Sequence, residues 1–461
     1  MNFTADLLGE VLKTSLSAGG DFGDIFIEET AETALRLEGG VIRDVRTGTV
    51  FGAGIRVAVN GAAIYMYLSN PTDASLMNMA QEISEAVSSG AAGEFCSLEE
   101  KSTPQINAVE VFPDSADLET KLEYLQRCDQ AGREYSSKVT DVIVRYLDTD
   151  QKVIIASSDG GIIKDRRIRT RMSAMASARQ GGRRQTGFFG AGRSMGLEFF
   201  DLVTPESIGT EASRIACVLL DADYAPQGTY PVILANQFGG VIFHEACGHA
   251  LESGPVAKGA SPFSGKLGKK IASAQVTAWD DGTIAGQWGS SKTDDEGTPM
   301  GRTKLIHRGK LQSFIADRMG SMKLDHPLTG NGRRESYRFP PAARMTNTFI
   351  DAGKHTLDDL ISSLEQGIYC RTMGGGSVDT TTTDFNFSVH EAYLVKNGAV
   401  DRPIQGASLI GKGTEVLKRI EMVGNDLDFG AGMCGSLSGS LPAAVGQPSI
   451  LVSSLLIGGR T

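Results

Sequence analysis

The most informative stretch of this 461-residue sequence is Phe243-His244-Glu245-Ala246-Cys247-Gly248-His249-Ala250-Leu251-Glu252. It holds two of the chain's six histidines, five positions apart, with a glutamate directly after the first. At this frequency of histidine, about 0.08 pairs with that spacing are expected by chance, before a glutamate is also required. Imidazole is a common zinc ligand, and a neighbouring carboxylate can act as a base. The stretch therefore predicts a metal centre in preference to two histidines buried in a core.

The spacing of the two histidines sets a condition on the local backbone. Histidines four positions apart on a regular helix lie about 40° apart around its axis and can share an ion. His244 and His249 are five apart, which corresponds to about 140°, so a regular helix could not direct both rings at one ion. A π-helical bulge accommodates one extra residue, and Gly248 tolerates unusual dihedral angles. We therefore predict a bulged or broken helix between Ala246 and His249.

A catalytic zinc site needs a third protein ligand and one open position. Cys434 is attractive because thiolate binds zinc well and its flanking glycines would let the backbone come close. Cys247 could instead complete a closed structural site, although we expect it to be a buried, inert thiol. Spacing alone does not choose among these thiols, the acidic residues and the other histidines. Those histidines are His307, His326, His355 and His390.

Composition narrows the class of protein. With 41% hydrophobic and 22% charged residues the chain matches ordinary globular proteins, and its 56 glycines favour turns and hairpins. A net charge of −10 argues against direct nucleic-acid binding. The six cysteines are scattered, which fits a reducing compartment, and no apolar run is long enough to cross a membrane. We therefore expect a cytoplasmic protein without a membrane partner.

Arginines cluster locally in two stretches, Asp165 to Arg171 and Gly182 to Arg184. A basic face of this kind could bind nucleic acid or the carboxylate of a peptide. We expect the simpler arrangement, in which these side chains form the solvated face of a strand.

Hydrophobic periodicity and turn residues predict an α+β protein of two domains. Residues 1–225 are expected to form a mixed, hairpin-rich N-terminal domain, in which Asn60-Gly61 is a strong hairpin signal. Residues 226–461 are expected to form a largely antiparallel β domain that carries the metal site. The predicted helices are Met1 to Ala18, Asp73 to Ser89, Leu118 to Tyr135, Pro205 to Leu220 after the N-cap Thr204, Gly240 to Ser253, and Leu357 to Gln366.

The histidine motif resembles the metal-binding signature of the TldD/PmbA peptidase family, also called modulators of DNA gyrase. In this sequence the motif continues as Lys258-Gly259-x-Ser261-x-Phe263-Ser264. Further stretches resemble family blocks in family order, so the likeness spans nearly the whole chain. These stretches are Asp280-Asp281-Gly282-Thr283, Asp294-Asp295-Glu296-Gly297, Asn331 to Tyr337, Arg344-Met345-Thr346-Asn347-Thr348, Asp384-Phe385-Asn386-Phe387 and Gly432-Met433-Cys434-Gly435.

The resemblance implies a set of roles. TldD-like members carry the complete metal motif, as this chain does, whereas PmbA (TldE-like) members lack it and act as partners. By that pattern His244, His249 and Cys434 are zinc ligands and Glu245 is the catalytic base. The family also implies a dimer, with a second copy or a metal-lacking paralogue, that restricts the site to unfolded or short peptides. The sequence departs from the family pattern at Ala250 and Ser253, where the family usually has glycine. This departure concerns the packing of the helix and not the chemistry.

Metal chemistry then implies peptide hydrolysis. Zinc lowers the pKa of a water and polarises the scissile carbonyl, and Glu245 would take the water's proton and pass it to the leaving amine. Arg333, Arg334 and Tyr337 are available to assist the oxyanion, although ordinary salt bridges are the expected role of the arginines. The alternative is a non-catalytic interaction protein in which the zinc is structural.

Overall fold

The computed structural model describes residues 3–87 and 91–459, and its N-terminal part contains a seven-stranded, mainly antiparallel sheet. Successive strands are joined largely as hairpins. The predicted hairpin at Asn60-Gly61 is confirmed: both residues have positive φ, 50° and 76°, as a tight two-residue turn requires. The strands are Phe22–Glu38, Val41–Val59, Ala62–Ser69, Glu99–Glu100, Val139–Ser157, Gly161–Gln180 and Arg183–Arg193.

Helices cover one face of this sheet. Ala5–Ser15 and Asp73–Ala86 enclose one apolar cluster with it, and Leu118–Glu134 and Pro205–Leu220 enclose another. The last of these begins as predicted, since the side chain of Thr204 accepts a hydrogen bond from the Ser207 amide. The predicted ends Met1 and Ser89 of two helices lie outside the described residues.

The opposite face of the sheet is turned towards the C-terminal half of the chain. A small buried cluster there joins Phe26, Val153 and Ile155 of the sheet to Tyr337. Much of the rest of this face is polar, and it includes a buried ion pair between Arg56 and Asp24. The two halves therefore meet across a largely polar contact.

The C-terminal half contains two larger sheets and a two-stranded ribbon. The six-stranded sheet consists, in spatial order, of Lys310–Leu311, Arg302–His307, Ala278–Asp281, Asn347–Ile350, Gly439–Gln447 and Asp428–Ser436. The eight-stranded sheet consists of Gln366–Val378, Gly228–Leu234, Ile450–Gly458, Ser408–Lys412, Asp384–Lys396, Ala399–Gln405, Asp223–Tyr224 and the side strand Ile420–Val423. The ribbon pairs Gly332–Arg333 with Ala342–Ala343.

The chain also contains short helices in both halves. They are Phe199–Leu202, Val241–Phe243, Ser253–Ala257, Arg318–Leu324, Leu357–Ser362 and Gly413–Val416.

Most pairings in these sheets are antiparallel, so the predicted α+β class and the largely antiparallel C-terminal part are confirmed. The division at residues 225 and 226 stays a prediction. Among the described residues, no helix combines the length and the apolar character that a membrane crossing requires.

The predicted helix Leu357 to Gln366 was wrong in extent. The helix predicted to reach Gln366 ends at Ser362, because Gln366 already begins a strand that pairs in parallel with Gly228–Leu234. In the N-terminal sheet, Phe22–Glu38 forms a single long strand. Its polar middle continues the ladder because strands on both sides hydrogen-bond to it.

Candidate metal centre

The histidine motif lies on a chain of single helical turns. Val241–Phe243 is α-helical, His244–Gly248 forms a π-helical turn, and His249–Leu251 is a 3₁₀ turn. Glu252 has extended dihedral angles and ends the run. The predicted bulge is therefore confirmed, whereas a continuous helix from Gly240 to Ser253 was wrong. The wider π turn accommodates the extra residue between the two histidines.

Gly248 is required for a different reason from the one predicted. Its φ and ψ are −55° and −53°, ordinary helical values that any residue adopts. A Cβ atom at this position would instead lie 2.1 Å from Sδ of Met345, far inside van der Waals contact. Gly248 therefore allows the π turn to pass closely over the Met345 side chain.

We expect Gly248→Ala to lower the free energy of unfolding by about 1–3 kcal/mol, because an added methyl group in a filled core forces its neighbours apart. Urea denaturation measures this change. The matched control is Gly254→Ala, since a Cβ atom at Gly254 meets nothing within 4 Å. In a Met345→Ala background the cost of Gly248→Ala should shrink; an equal cost in both backgrounds would contradict the steric explanation.

Cys434 reaches the two histidines from a hairpin far along the chain. It lies on strand Asp428–Ser436, which pairs antiparallel with Gly439–Gln447. The buried guanidinium of Arg344 donates through Nη2 to the Cys434 carbonyl at 2.5 Å, and through Nη1 to Ser438 Oγ at 3.0 Å. Arg344 therefore holds both the strand and its turn in place.

The three side chains converge on one point. His244 Nε2 is 3.1 Å and His249 Nε2 is 3.2 Å from Cys434 Sγ, and the two rings are nearly perpendicular at 87°. Around a tetrahedral zinc ion, bond lengths of about 2.1 Å to nitrogen and 2.3 Å to sulfur place such donors about 3.6 Å apart. The observed distances are about half an ångström shorter than that value, so the donor set is close to the arrangement that zinc requires.

Electrostatics at the cluster favour the metal-binding form of the thiol. Burial opposes ionisation of Cys434, but His244 and His249 outweigh it and lower its pKa to about 4. Burial likewise opposes charge on His249, whereas Glu252 and Cys434 raise its pKa to about 11. These anionic neighbours favour positive charge at this position, whether a proton or a metal ion carries it.

Two glutamates flank the cluster on different sides. Glu252 Oε1 lies 3.0 Å from His249 Nδ1, the arrangement in which a carboxylate orients a metal-binding imidazole. Glu245 Oε2 lies 3.6 Å from His249 Nε2, and its side chain is 26% exposed. Glu245 is therefore next to the donor atoms and accessible from outside. His244 Nδ1, by contrast, is buried and has no hydrogen-bond partner in the part of the chain that the structure describes.

The other candidates from the sequence lie elsewhere. Within residues 3–87 and 91–459, the three donors His244, His249 and Cys434 form the one group suited to a metal. Cys247 is fully buried in the apolar core, and burial raises the pKa of its thiol, which fits the expected inert role. His326 Nε2 forms a hydrogen bond with Ser313 Oγ. This histidine and the other three lie outside the group of metal donors.

The arginines considered for the oxyanion are directed to other partners. Arg334 forms the expected salt bridge, with Asp24 at 3.3 Å. Arg333 donates to the carbonyls of Met345 and Pro442, so a salt bridge was the wrong expectation for it. The Tyr337 hydroxyl is engaged with Ser69 at 2.6 Å.

Sequence reasoning assigned no role to Glu252 or Arg344, although both lie in stretches that resemble family blocks. The i, i+3 spacing of His249 and Glu252 on a helix was a signal that could have found the first. The contact of Arg344 with the Cys434 carbonyl depends on tertiary structure, and local spacing carries no trace of it.

Comparison with known proteins finds similarity along most of the chain. Family models match as the PmbA/TldA metallopeptidase domain 1 over residues 23–90, the central domain over 112–220 and the C-terminal domain over 227–459. A metalloprotease TldD homolog of Haemophilus influenzae is 36% identical over 95% of this chain and 93% of its own length. A metalloprotease of Methanocaldococcus jannaschii is 31% identical over 93% and 95%.

Solved structures share the fold at lower identity. A candidate modulator of a DNA gyrase from Thermotoga maritima gives a TM-score of 0.78 at 21% identity, covering 95% of this chain and 96% of its own. TldE from Thermococcus kodakarensis gives 0.78 at 18% identity, covering 99% and 100%. These likenesses extend over the whole architecture.

Proposed function

Because the chain belongs to the PmbA/TldD family of metallopeptidases, we propose that it is a zinc-dependent peptidase of the TldD type acting on unfolded or short peptides. The observation that carries this proposal is the convergence of His244, His249 and Cys434 beside the accessible carboxylate of Glu245. Imidazole and thiolate are both zinc ligands, and three protein ligands leave the fourth position of a catalytic zinc site open.

The side chains have distinct roles in this proposal. His244, His249 and Cys434 would hold the ion. When bound, zinc would act as a Lewis acid on the scissile carbonyl and lower the pKa of a water. Glu245 would take the proton from that water and deliver it to the leaving amine. Glu252 would keep the His249 ring in orientation through its 3.0 Å contact with Nδ1.

The burial pattern supports a catalytic role for Glu245. The donor residues His244, His249 and Cys434 are 2%, 8% and 7% exposed, so the protein closes around them. Glu245 is the more accessible group, which places the approach for water and substrate on its side. A closed structural site would have no need of an accessible carboxylate there.

Removal of the metal should abolish cleavage. We expect the purified protein to hold about one zinc per chain, as a three-ligand catalytic site would. A chelator should stop cleavage of an unstructured casein fragment, and added zinc should restore it. Zinc analysis by mass spectrometry and chromatography of the fragments measure both quantities. Bound zinc with no cleavage under any condition would favour the structural-zinc interaction protein instead.

The same assay tests the partner proposal. The TldE structural neighbour motivates a heterodimer with a metal-lacking paralogue, and the alternative is a homodimer. Cleavage should therefore be measured with the chain alone and with such a paralogue added. Activity that appears only with the paralogue would support the heterodimer, and full activity of the chain alone would contradict it.

A further inference from the structure

A second site candidate lies between the polar face of the N-terminal sheet and the C-terminal half. It is a cavity of about 510 Å³, within the usual size range of small-ligand sites. On the sheet side, Gln151 pairs with Arg167 and Thr149 pairs with Arg169, so these side chains stand in two adjacent rows. Arg169 is buried and the side chain of Arg167 is only 9% exposed, so the prediction of a solvated strand face was wrong for these two arginines.

The cavity is separate from the metal centre. His244, Glu245, His249 and Cys434 are absent from its lining in the described structure. Met433 does line it, and successive residues of a strand point to opposite faces, so the strand that carries Cys434 forms a wall between the two sites.

Arg169 is the exceptional group in this cavity. Its side chain lines the cavity, the residue is 9% exposed, and its hydrogen bond is a long one from Nε to the Trp288 carbonyl at 3.4 Å. In residues 3–87 and 91–459 it has no ion pair, whereas Arg167 pairs with both Asp165 and Asp295. Burial together with Arg167 and Arg333 lowers the pKa of Arg169 to about 9. A buried guanidinium without a counter-ion is costly unless a ligand supplies one.

The carboxylates that line the cavity are already engaged or distant. Asp295 binds Arg167, and Asp294 accepts from the backbone amides of Glu296, Thr298 and Gly332. Glu28 accepts from Gln151 and from the Tyr337 amide, and Glu335 accepts from the Ser440 amide. Glu32, which is exposed, lies in the Arg169 row but two strands away.

Arg333 adds a second positive charge without a carboxylate partner. Its two hydrogen bonds go to the backbone carbonyls of Met345 and Pro442, and no ion pair joins it to another described residue. Two guanidinium groups that form no ion pair with a described residue therefore border the cavity, beside apolar surface from Trp288, Met300 and Phe339.

We propose that this cavity binds a small monocarboxylate with an apolar tail, whose carboxylate pairs with Arg169 and is attracted by Arg333. An arginine fork matches the planar carboxylate, and the nearby acidic residues disfavour a doubly charged ligand such as phosphate. The carboxylate could belong to a free carboxylic acid or to the C-terminus of a peptide. The inference rests on Arg169 and its surroundings and does not depend on the proposed peptidase activity.

Isothermal titration calorimetry on the full chain tests this with three probes that share one apolar group. N-acetyl-L-leucine carries the carboxylate of a peptide end, 4-methylpentanoate carries it as a free acid, and N-acetyl-L-leucinamide lacks it. We expect the first or the second to bind and the amide not to bind. Tighter binding of the first identifies a peptide C-terminus, and tighter binding of the second a free acid. Binding of neither, equal binding of the amide, or tighter binding of inorganic phosphate would overturn the proposal.

Arg169→Met should weaken binding of the preferred carboxylate at least about tenfold, since it removes charge-assisted hydrogen bonds while keeping an unbranched stem of similar shape. The matched control is Arg166→Met, on the other face of the same strand, where Arg166 pairs with Asp150. If Arg169→Met fails to fold, Arg169→Lys should fold and still bind more weakly than the wild type, because lysine lacks the fork. Unchanged affinity in the Arg169 variant, or an equal loss in the control, would overturn the site.

Discussion

Glu245→Gln should reduce cleavage of an unstructured peptide by about 10²–10⁴-fold while the protein keeps its zinc. The amide has nearly the shape of the carboxylate but cannot accept a proton, so the change removes the proposed base and little else. The Glu245 carboxylate lies 3.6 Å from His249 Nε2, beyond hydrogen-bond distance. The ion should therefore remain bound. Steady-state cleavage and zinc content measured on the same sample check both parts.

A matched control separates loss of the base from general damage. Glu415→Gln changes an exposed carboxylate on the short helix Gly413–Val416, which packs against the π turn. We expect it to leave cleavage and zinc content unchanged. If Glu245→Gln retained wild-type cleavage, another group would have to serve as base. If it lost its zinc, the carboxylate would be part of the metal site rather than the base.

The local chemistry of the centre could be predicted from a ten-residue stretch. The spacing of His244 and His249 is incompatible with a regular helix, and the structure resolves this with a π turn at the predicted place. The reason given for Gly248 was wrong because its role depends on Met345, which is distant in the sequence. Local periodicity predicts the conformation of a segment, but it does not predict which distant side chains pack against that segment.

The third donor illustrates the same limit. Cys434 lies 185 residues beyond His249, and glycine flanks made it only one candidate among several until the resemblance to a family was taken into account.

The arginines on the covered face of the sheet show the same limit of local sequence patterns. The cluster around Arg167 and Arg169 has the alternating pattern of a solvated strand face, but the C-terminal half covers that face. Burial of this kind depends on how the two halves associate.

Cys434→Ala should lower zinc affinity by more than about 100-fold, because loss of an orienting residue alone typically costs 10–100-fold and this change removes a donor. Two histidines would remain, and they do not form a catalytic zinc site by themselves. Cleavage should fall with zinc occupancy, and excess zinc should restore it only in part. Competition with a chromogenic chelator measures the affinity.

Cys247→Ala is the matched control, since it removes a second buried thiol two positions from His249. We expect it to keep the zinc and to lose about 1 kcal/mol of stability, the usual cost of a small change in a core. A comparable loss of zinc in Cys247→Ala would mean that two thiols and two imidazoles close the coordination shell. That outcome would favour a structural zinc. Retained zinc and retained cleavage would instead show that the fourth position stays available, as hydrolysis requires.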